Sequence, residues 1–301
     1  MPFDPAPTSP AARPAAGIAV MLASVLLFSL NDVLGKWLVA TYAVGQVLVL
    51  RSLGSLAVLG PLAWRRLRAA GWRVPQPGLQ GARVLIGALE AALFYWAVGH
   101  MPLADAMTYW MAAPIFVTAL SALLLGERVG RARWLAVLAG FGGVAAALGG
   151  DPVSAGMPAL AMLAGSLLYA LFLVASRRLR DTPDVVLASM QMLGGLALGL
   201  ALLAGSGGWT APGPRDLALL LALGLAATLG HIGVTRALKL APASVVVPYQ
   251  YSFILWAALF GWVVFGDVPG PHILVGAAVV VGAGLWLYRL AAAVGRRAAD
   301  R

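Results

Sequence analysis

Cysteine is absent from the 301 residues, so disulfides, thiolate metal sites and a cysteine nucleophile are all excluded. Charge is scarce: 21 Lys and Arg and 11 Asp and Glu make up 11% of the chain, against about 25% in an ordinary soluble domain. Only three histidines occur, with no zinc-ligand spacing. The alternation of a membrane-spanning β-barrel is missing too. In their place stand long apolar runs. Hydrophobic residues make up 61% of the chain, and the mean hydropathy is +0.89. Such a composition cannot hide its surface in a water-facing core and belongs in a bilayer.

A membrane-crossing helix needs about 20 mainly apolar residues. Ten stretches qualify: 17–39, 45–64, 82–99, 103–125, 132–149, 157–176, 184–204, 216–236, 243–265 and 271–290. Residues 1–16 are rich in Pro and Ala, read as a disordered cytoplasmic N-terminus, and lack the basic start of a secretory signal. The run after them is too long for a signal h-region and is expected to remain as the first span. Residues 291–301 form a basic cytoplasmic tail.

The chain is internally repeated. A shift of 140 lays Met101–Gly150 over its later counterpart without a gap, with Pro102 on Pro242, Tyr109 on Tyr249, Gly130 on Gly270 and Gly142 on Gly282. The same shift sets "LGSL" (53–56) on "LGGL" (193–196) and Arg51 on Gln191. A shift of one more sets "SVLLFSL" (24–30) on "GSLLYAL" (165–171). The expected architecture is therefore all-α, with ten transmembrane helices in two five-helix repeats, 17–150 and 151–290. Five is odd, so the second repeat enters from the opposite side.

Loop charge agrees with that inversion. With the N-terminus cytoplasmic, the inner segments hold Arg65, Arg66, Arg68, Arg73, Arg83, Arg128, Arg131, Arg133, Arg177, Arg178, Arg180, Arg236, Lys239, Arg289, Arg296, Arg297 and Arg301. The outer segments hold little beyond Lys36 and Arg215, a positive-inside pattern with both termini cytoplasmic. Inverted repeats are a recurrent secondary-transporter plan, with the substrate site near the midplane.

Three stretches carry a family resemblance: "LLFSLNDVLGKWL" (26–38), "PLADAMTYWMAAPIFVTALSALLLGERVGRARW" (102–134) and "APASVVVPYQYSFILWAALFGWVVFGDVP" (241–269). They resemble the paired EamA repeats of the drug/metabolite transporter superfamily over about 17–290. The resemblance implies two inverted repeats around a central cavity and a place in a bacterial-type inner membrane. It implies export of amino acids or related metabolites, or carriage of riboflavin, S-adenosylmethionine, a metallophore or a drug. Asp32, Lys36 and Arg51 are similar to the subgroup with riboflavin and S-adenosylmethionine carriers.

Intramembrane charge is costly, about 2.5–3.5 kcal/mol at a helix centre, and normally faces a cavity or a partner. Asp32, Arg51, Glu90 and His231 are the positions at issue. Asp32 and Arg51 lie at similar depth and are expected to pair, either as a structural ion pair or as an outer gate and anchor for a zwitterion. Lys36 is expected either to snorkel to the interface or to belong with them to an intramembrane ion pair or gate. Glu90 falls on Gly230 in the repeat, beside His231. It reads either as a helix–helix hydrogen bond or as the group that binds an amine or carries a coupling proton, and His231 either as packing or as its partner. Asp105 complements a helix N-terminus, and Glu127 and Asp267 read as structural loop residues.

Pro114 and Pro248 break helices, freeing the carbonyls of Trp110 and Ser244, which must then find a neighbour or a wet cavity. Tyr109, Tyr249 and Gln250 stand beside these breaks and are expected on the cavity wall, with Tyr95, Trp110, Gln191, Tyr251 and Trp256; packing between helices is the alternative for each. The expected partners are a small-molecule substrate, the bilayer, and a proton or an exchanged solute. No cofactor, metal, nucleic acid or catalytic residue is expected. An intramembrane hydrolase would need a nucleophile with its base, a receptor a soluble domain or long loops, and a channel a filter or charged ring.

Overall fold

Within hydrocarbon every backbone N–H and C=O must be satisfied inside its own segment, and the apolar runs accordingly form helices. The computed structural model describes residues 12–69, 76–125, 130–147, 156–179, 182–206, 208–240 and 247–299, all helices and short connections. The helices are α1 (Ala12–Val39), α2 (Val44–Ala69), α3 (Pro77–Val98), α4 (Leu103–Trp110), α5 (Ala113–Leu125), α6 (Arg131–Ala147), α7 (Gly156–Arg178), α8 (Asp184–Ser206) and α9 (Pro214–Leu240). A 3₁₀ turn over Val247–Tyr251 leads into α10 (Ser252–Phe260), a π turn over Gly261–Phe265 follows, and α11 is Pro271–Ala299. Among the described residues, seven segments, one of them running from Leu103 through the α4–α5 break to Leu120, are long and apolar enough to cross a membrane; three shorter apolar ones are Trp134–Ala147, Tyr249–Phe265 and Pro271–Trp286. Helix α1 begins at Ala12, inside the tail expected to be disordered, and α11 runs on through most of the basic tail.

Two expected spans are not continuous. The fourth stops at Met111–Ala112, and Pro114 sits in the first turn of α5, where a missing N–H costs no hydrogen bond. The ninth passes from 3₁₀ through α to π, with Pro248 in its 3₁₀ turn; Ser244 lies outside the described residues, as does Glu127. The 140-residue shift carries the Met111–Ala112 break onto Tyr251–Ser252, the junction of the 3₁₀ turn with α10. The two breaks coincide although their prolines do not.

The most extensive helix pairs are α2 with α8, α1 with α9, α6 with α11, and α3 with α7. Under the repeat shift α2 exchanges with α8 and α6 with α11, while the α1–α9 pair becomes α7–α3. Close approach depends on glycine. Gly45 on α2 and Gly199 on α8 face one another so tightly that a Cβ on either would stand 2.7–2.8 Å from the other's carbonyl oxygen. A Cβ at Gly224 on α9 would collide with the Arg51 carbonyl of α2. Outside, Leu123, Leu138, Leu255 and Val268 are among the large apolar side chains left exposed, as a lipid-facing surface requires.

Candidate functional site

A cavity of about 650 Å³, counting the open solvent in its mouth, opens among α1, α2, α3, α4, α7, α9 and α10. Helix α1 supplies Phe28, Asn31 and Asp32; α2 supplies Arg51; α3 supplies Glu90, Ala91, Phe94 and Tyr95. Trp110 ends α4, Tyr169 comes from α7, Ala227 and His231 from α9, and Phe253 from α10. The members recur at helical spacing, 28–31–32, 90–91–94 and 227–231, so each helix turns one stripe inward.

Aromatic rings form two strings. Phe28 lies edge-on to His231 at 4.8 Å and stacks near Phe253 at 6.2 Å. Phe94 meets Tyr95 and Trp110 edge-on, each at 5.4 Å, and Trp110 lies 5.0 Å from Tyr169. The repeat alignment of 24–30 with 165–171 places Phe28 on Tyr169, so each half of the chain contributes an equivalent ring.

Within this cage stand Asp32, Glu90 and Arg51. Asp32 is 7% exposed and accepts from Asn31 Nδ2 at 3.3 Å. The Arg51 guanidinium lies 5.1 Å from the centre of the Tyr95 ring. Tyr95 itself is pinned against Gly35, where a Cβ would meet its ring at 2.6 Å. Asp32 and Arg51 face the same cavity without closing to ion-pair distance, contrary to the expected pair.

The ion pair present among the described residues is another one. Lys36 Nζ donates to Asp267 Oδ2 at 2.6 Å and to the Met101 carbonyl at 3.1 Å, and lies 4.6 Å from the Phe265 ring centre. Lys36 is only 14% exposed, so it does not snorkel; it ties α1 to the loop after the ninth span. Gly266 makes that loop possible. Its φ of 72° is left-handed, ending the π turn and delivering Asp267 to the lysine.

Of the residues expected at the site, Glu90, His231, Tyr95, Trp110, Asp32 and Arg51 come together on the cavity, and seven others, Lys36 among them, do not. Tyr109 is 3% exposed and donates to the Ala147 carbonyl at 3.0 Å, bolting α4 to α6. Tyr249 is 38% exposed and Gln250 stands beside it, both off the cavity lining. Tyr251 packs onto Gly284, Trp256 stacks on Phe260 at 5.7 Å, and Gln191 packs on Gly87. Phe28, Asn31, Phe94, Tyr169 and Phe253 were not foreseen. The signal that finds them is the stripe running through residues already singled out: Phe28 is one turn from Asp32, and Phe94 one turn from Glu90.

The chain can now be set beside known proteins. The EamA-like transporter family matches it twice, over residues 15–149 and 156–289. A riboflavin transporter of Rhizobium johnstonii is 29% identical, over 92% of each chain. A pseudopaline exporter, CntI, of Pseudomonas aeruginosa is 28% identical, over 91% of this chain and 96% of its own. A S-adenosylmethionine uptake transporter of Rickettsia felis is 24% identical, over 90% of this chain and 92% of its own. A solved crystal structure with 20% identity superposes with a TM-score of 0.61 over 93% of this chain and 99% of its own, a likeness of fold. This chain is a multi-pass membrane protein that belongs to the EamA-like transporter family of the drug/metabolite transporter superfamily.

Proposed function

We propose that the protein is a secondary transporter of the inner membrane that carries a planar, polar-edged organic metabolite through this cavity by alternating access. The observation that carries the reading is the cavity wall: two strings of aromatic rings around Asp32, Glu90 and Arg51. Rings favour a flat solute by stacking, and the polar groups fix its orientation. The names of the riboflavin and S-adenosylmethionine relatives support a heteroaromatic cargo. Two inverted five-helix repeats, 17–150 and 151–290, are the proposed moving parts; the exchange of helix pairs under the repeat shift supports them. Both termini are proposed to be cytoplasmic, on the strength of the loop charges.

A second reading is export of an amino acid. It is favoured by the presence of carboxylates and a guanidinium in one cavity, which suits a zwitterion. Counterflow in proteoliposomes separates the two, with labelled riboflavin, S-adenosylmethionine and a panel of amino acids. Saturable exchange of a heteroaromatic solute is expected. Exchange of amino acids alone would replace the first reading with the second, and silence across the panel would reject both.

A further inference from the structure

Two residues of the cavity wall each carry a polar atom that is shut off from solvent and has no partner among the described residues: Asn31 Oδ1 and Arg51 Nε. Asn31 is 5% exposed, and its Nδ2 is committed to Asp32, which fixes the amide with Oδ1 left over. The Arg51 guanidinium is steadied on the Tyr95 ring. Other buried unpartnered atoms, on Gln80, Asp105 and Gln191, lie off the cavity. A buried polar atom left unmade is expensive, and on the wall of a solute cavity the solute is its natural partner.

The pair is mixed: Arg51 Nε can only donate, and Asn31 Oδ1 can only accept. A carboxylate would satisfy the arginine and repel the amide oxygen. An ammonium would do the reverse. A zwitterion's carboxylate and ammonium satisfy both together, and so does a carbonyl beside a ring N–H, which the surrounding aromatic rings favour. We propose that Asn31 and Arg51 form a hydrogen-bonding subsite for the imide or lactam edge of a planar heterocycle, with Arg51 Nε donating to the carbonyl and Asn31 Oδ1 accepting from the ring N–H. This rests on the reading of the cavity as a substrate site, and adds Asn31 as a residue that sets specificity.

The test measures binding to the purified full-length protein in detergent by titration calorimetry. The probes are riboflavin, whose ring carries such an edge, 3-methylriboflavin, in which the N–H is blocked, and uridine. Wild-type protein is expected to bind riboflavin saturably and 3-methylriboflavin about tenfold or more weakly, the scale of one buried hydrogen bond lost. Asn31→Leu is expected to erase that discrimination, binding both flavins within about twofold of one another. Equal binding of both flavins by the wild type, which needs no variant to fold, overturns the subsite. So does failure to bind riboflavin and uridine alike. In either event, saturable counterflow of another solute would leave the transport reading standing. Methyl discrimination without counterflow of any solute would overturn transport and keep the subsite.

Discussion

Asp32 and Glu90 put two carboxylates beside one guanidinium, Arg51, in a single cavity. One negative charge is then left to be balanced by a proton or by a substrate amine, and Glu90 is the residue proposed for that exchange. Glu90→Gln is expected to abolish accumulation driven by a pH gradient while leaving counterflow within about threefold of wild type, since only the coupling group is removed. Retention of gradient-driven accumulation and its pH dependence would rule Glu90 out. A neighbouring pair tests the cavity itself. Trp110→Ala is expected to raise the half-saturation concentration of counterflow about tenfold by deleting a stacking surface. Tyr109→Phe should leave that value unchanged and cost about 1 kcal/mol of stability through its bond to the Ala147 carbonyl. The two residues are adjacent in sequence, so on one helix their side chains point about 100° apart, Trp110 to the cavity and Tyr109 to the end of α6. This is why the site was only half legible. Intramembrane charge singles out Asp32, Arg51, Glu90 and His231, and all four line the cavity. The repeat match of Tyr109 with Tyr249 reports equivalent places in two halves, and equivalence does not say whether a place is wall or packing. The 3.6-residue stripe through the charged positions carries that information, and it leads to Asn31, Phe28 and Phe94.

The elements are held at close crossings that only glycine permits. Gly224→Ala drives a methyl into the Arg51 carbonyl, on the helix that carries the cavity's guanidinium. The expected cost is about 1–3 kcal/mol, seen as a drop of several degrees in the melting temperature in detergent. Gly60→Ala on α2, with nothing within 4 Å of the added Cβ, is the control and should be neutral or slightly stabilising. Equal melting of the two variants would show that the α2–α9 crossing yields freely. At this scale the sequence was informative where a rule of local chemistry applied. Pro114 announces the break after Trp110, and length with hydropathy announces each apolar segment. The 3₁₀ and π turns of the ninth span were not legible. They depend on how residues 247–265 fit against α1 and α4, which no local rule contains.

For the whole molecule, the proposed alternating access requires that one mouth of the cavity be shut while the other is open, and we propose Lys36–Asp267 as the pair that does the shutting. Lys36 lies one helical turn beyond Asp32, and its partner hangs from the end of the ninth span, so the pair joins the two halves of the chain just past the cavity. Asp105 and His272 stand within electrostatic reach of the same spot. A half-buried pair of this kind is broken by removing either charge and restored by exchanging them. The absence of cysteine makes the test direct, because one introduced thiol is the only one present. Ala227→Cys, on the cavity wall, is expected to react slowly with a membrane-impermeant thiol reagent applied from the Lys36 side. Adding Asp267→Asn should speed that reaction about tenfold, a shift of roughly 1.4 kcal/mol toward the open mouth. Exchanging the charges, with Lys36→Asp and Asp267→Lys together, should return it part of the way to the slow rate, since the Met101 carbonyl and the Phe265 ring favour a cation at position 36. Labelling that is indifferent to Asp267→Asn would mean that the pair merely braces the fold. Fast labelling in the exchanged protein would mean that local geometry, not attraction between the halves, keeps this mouth closed.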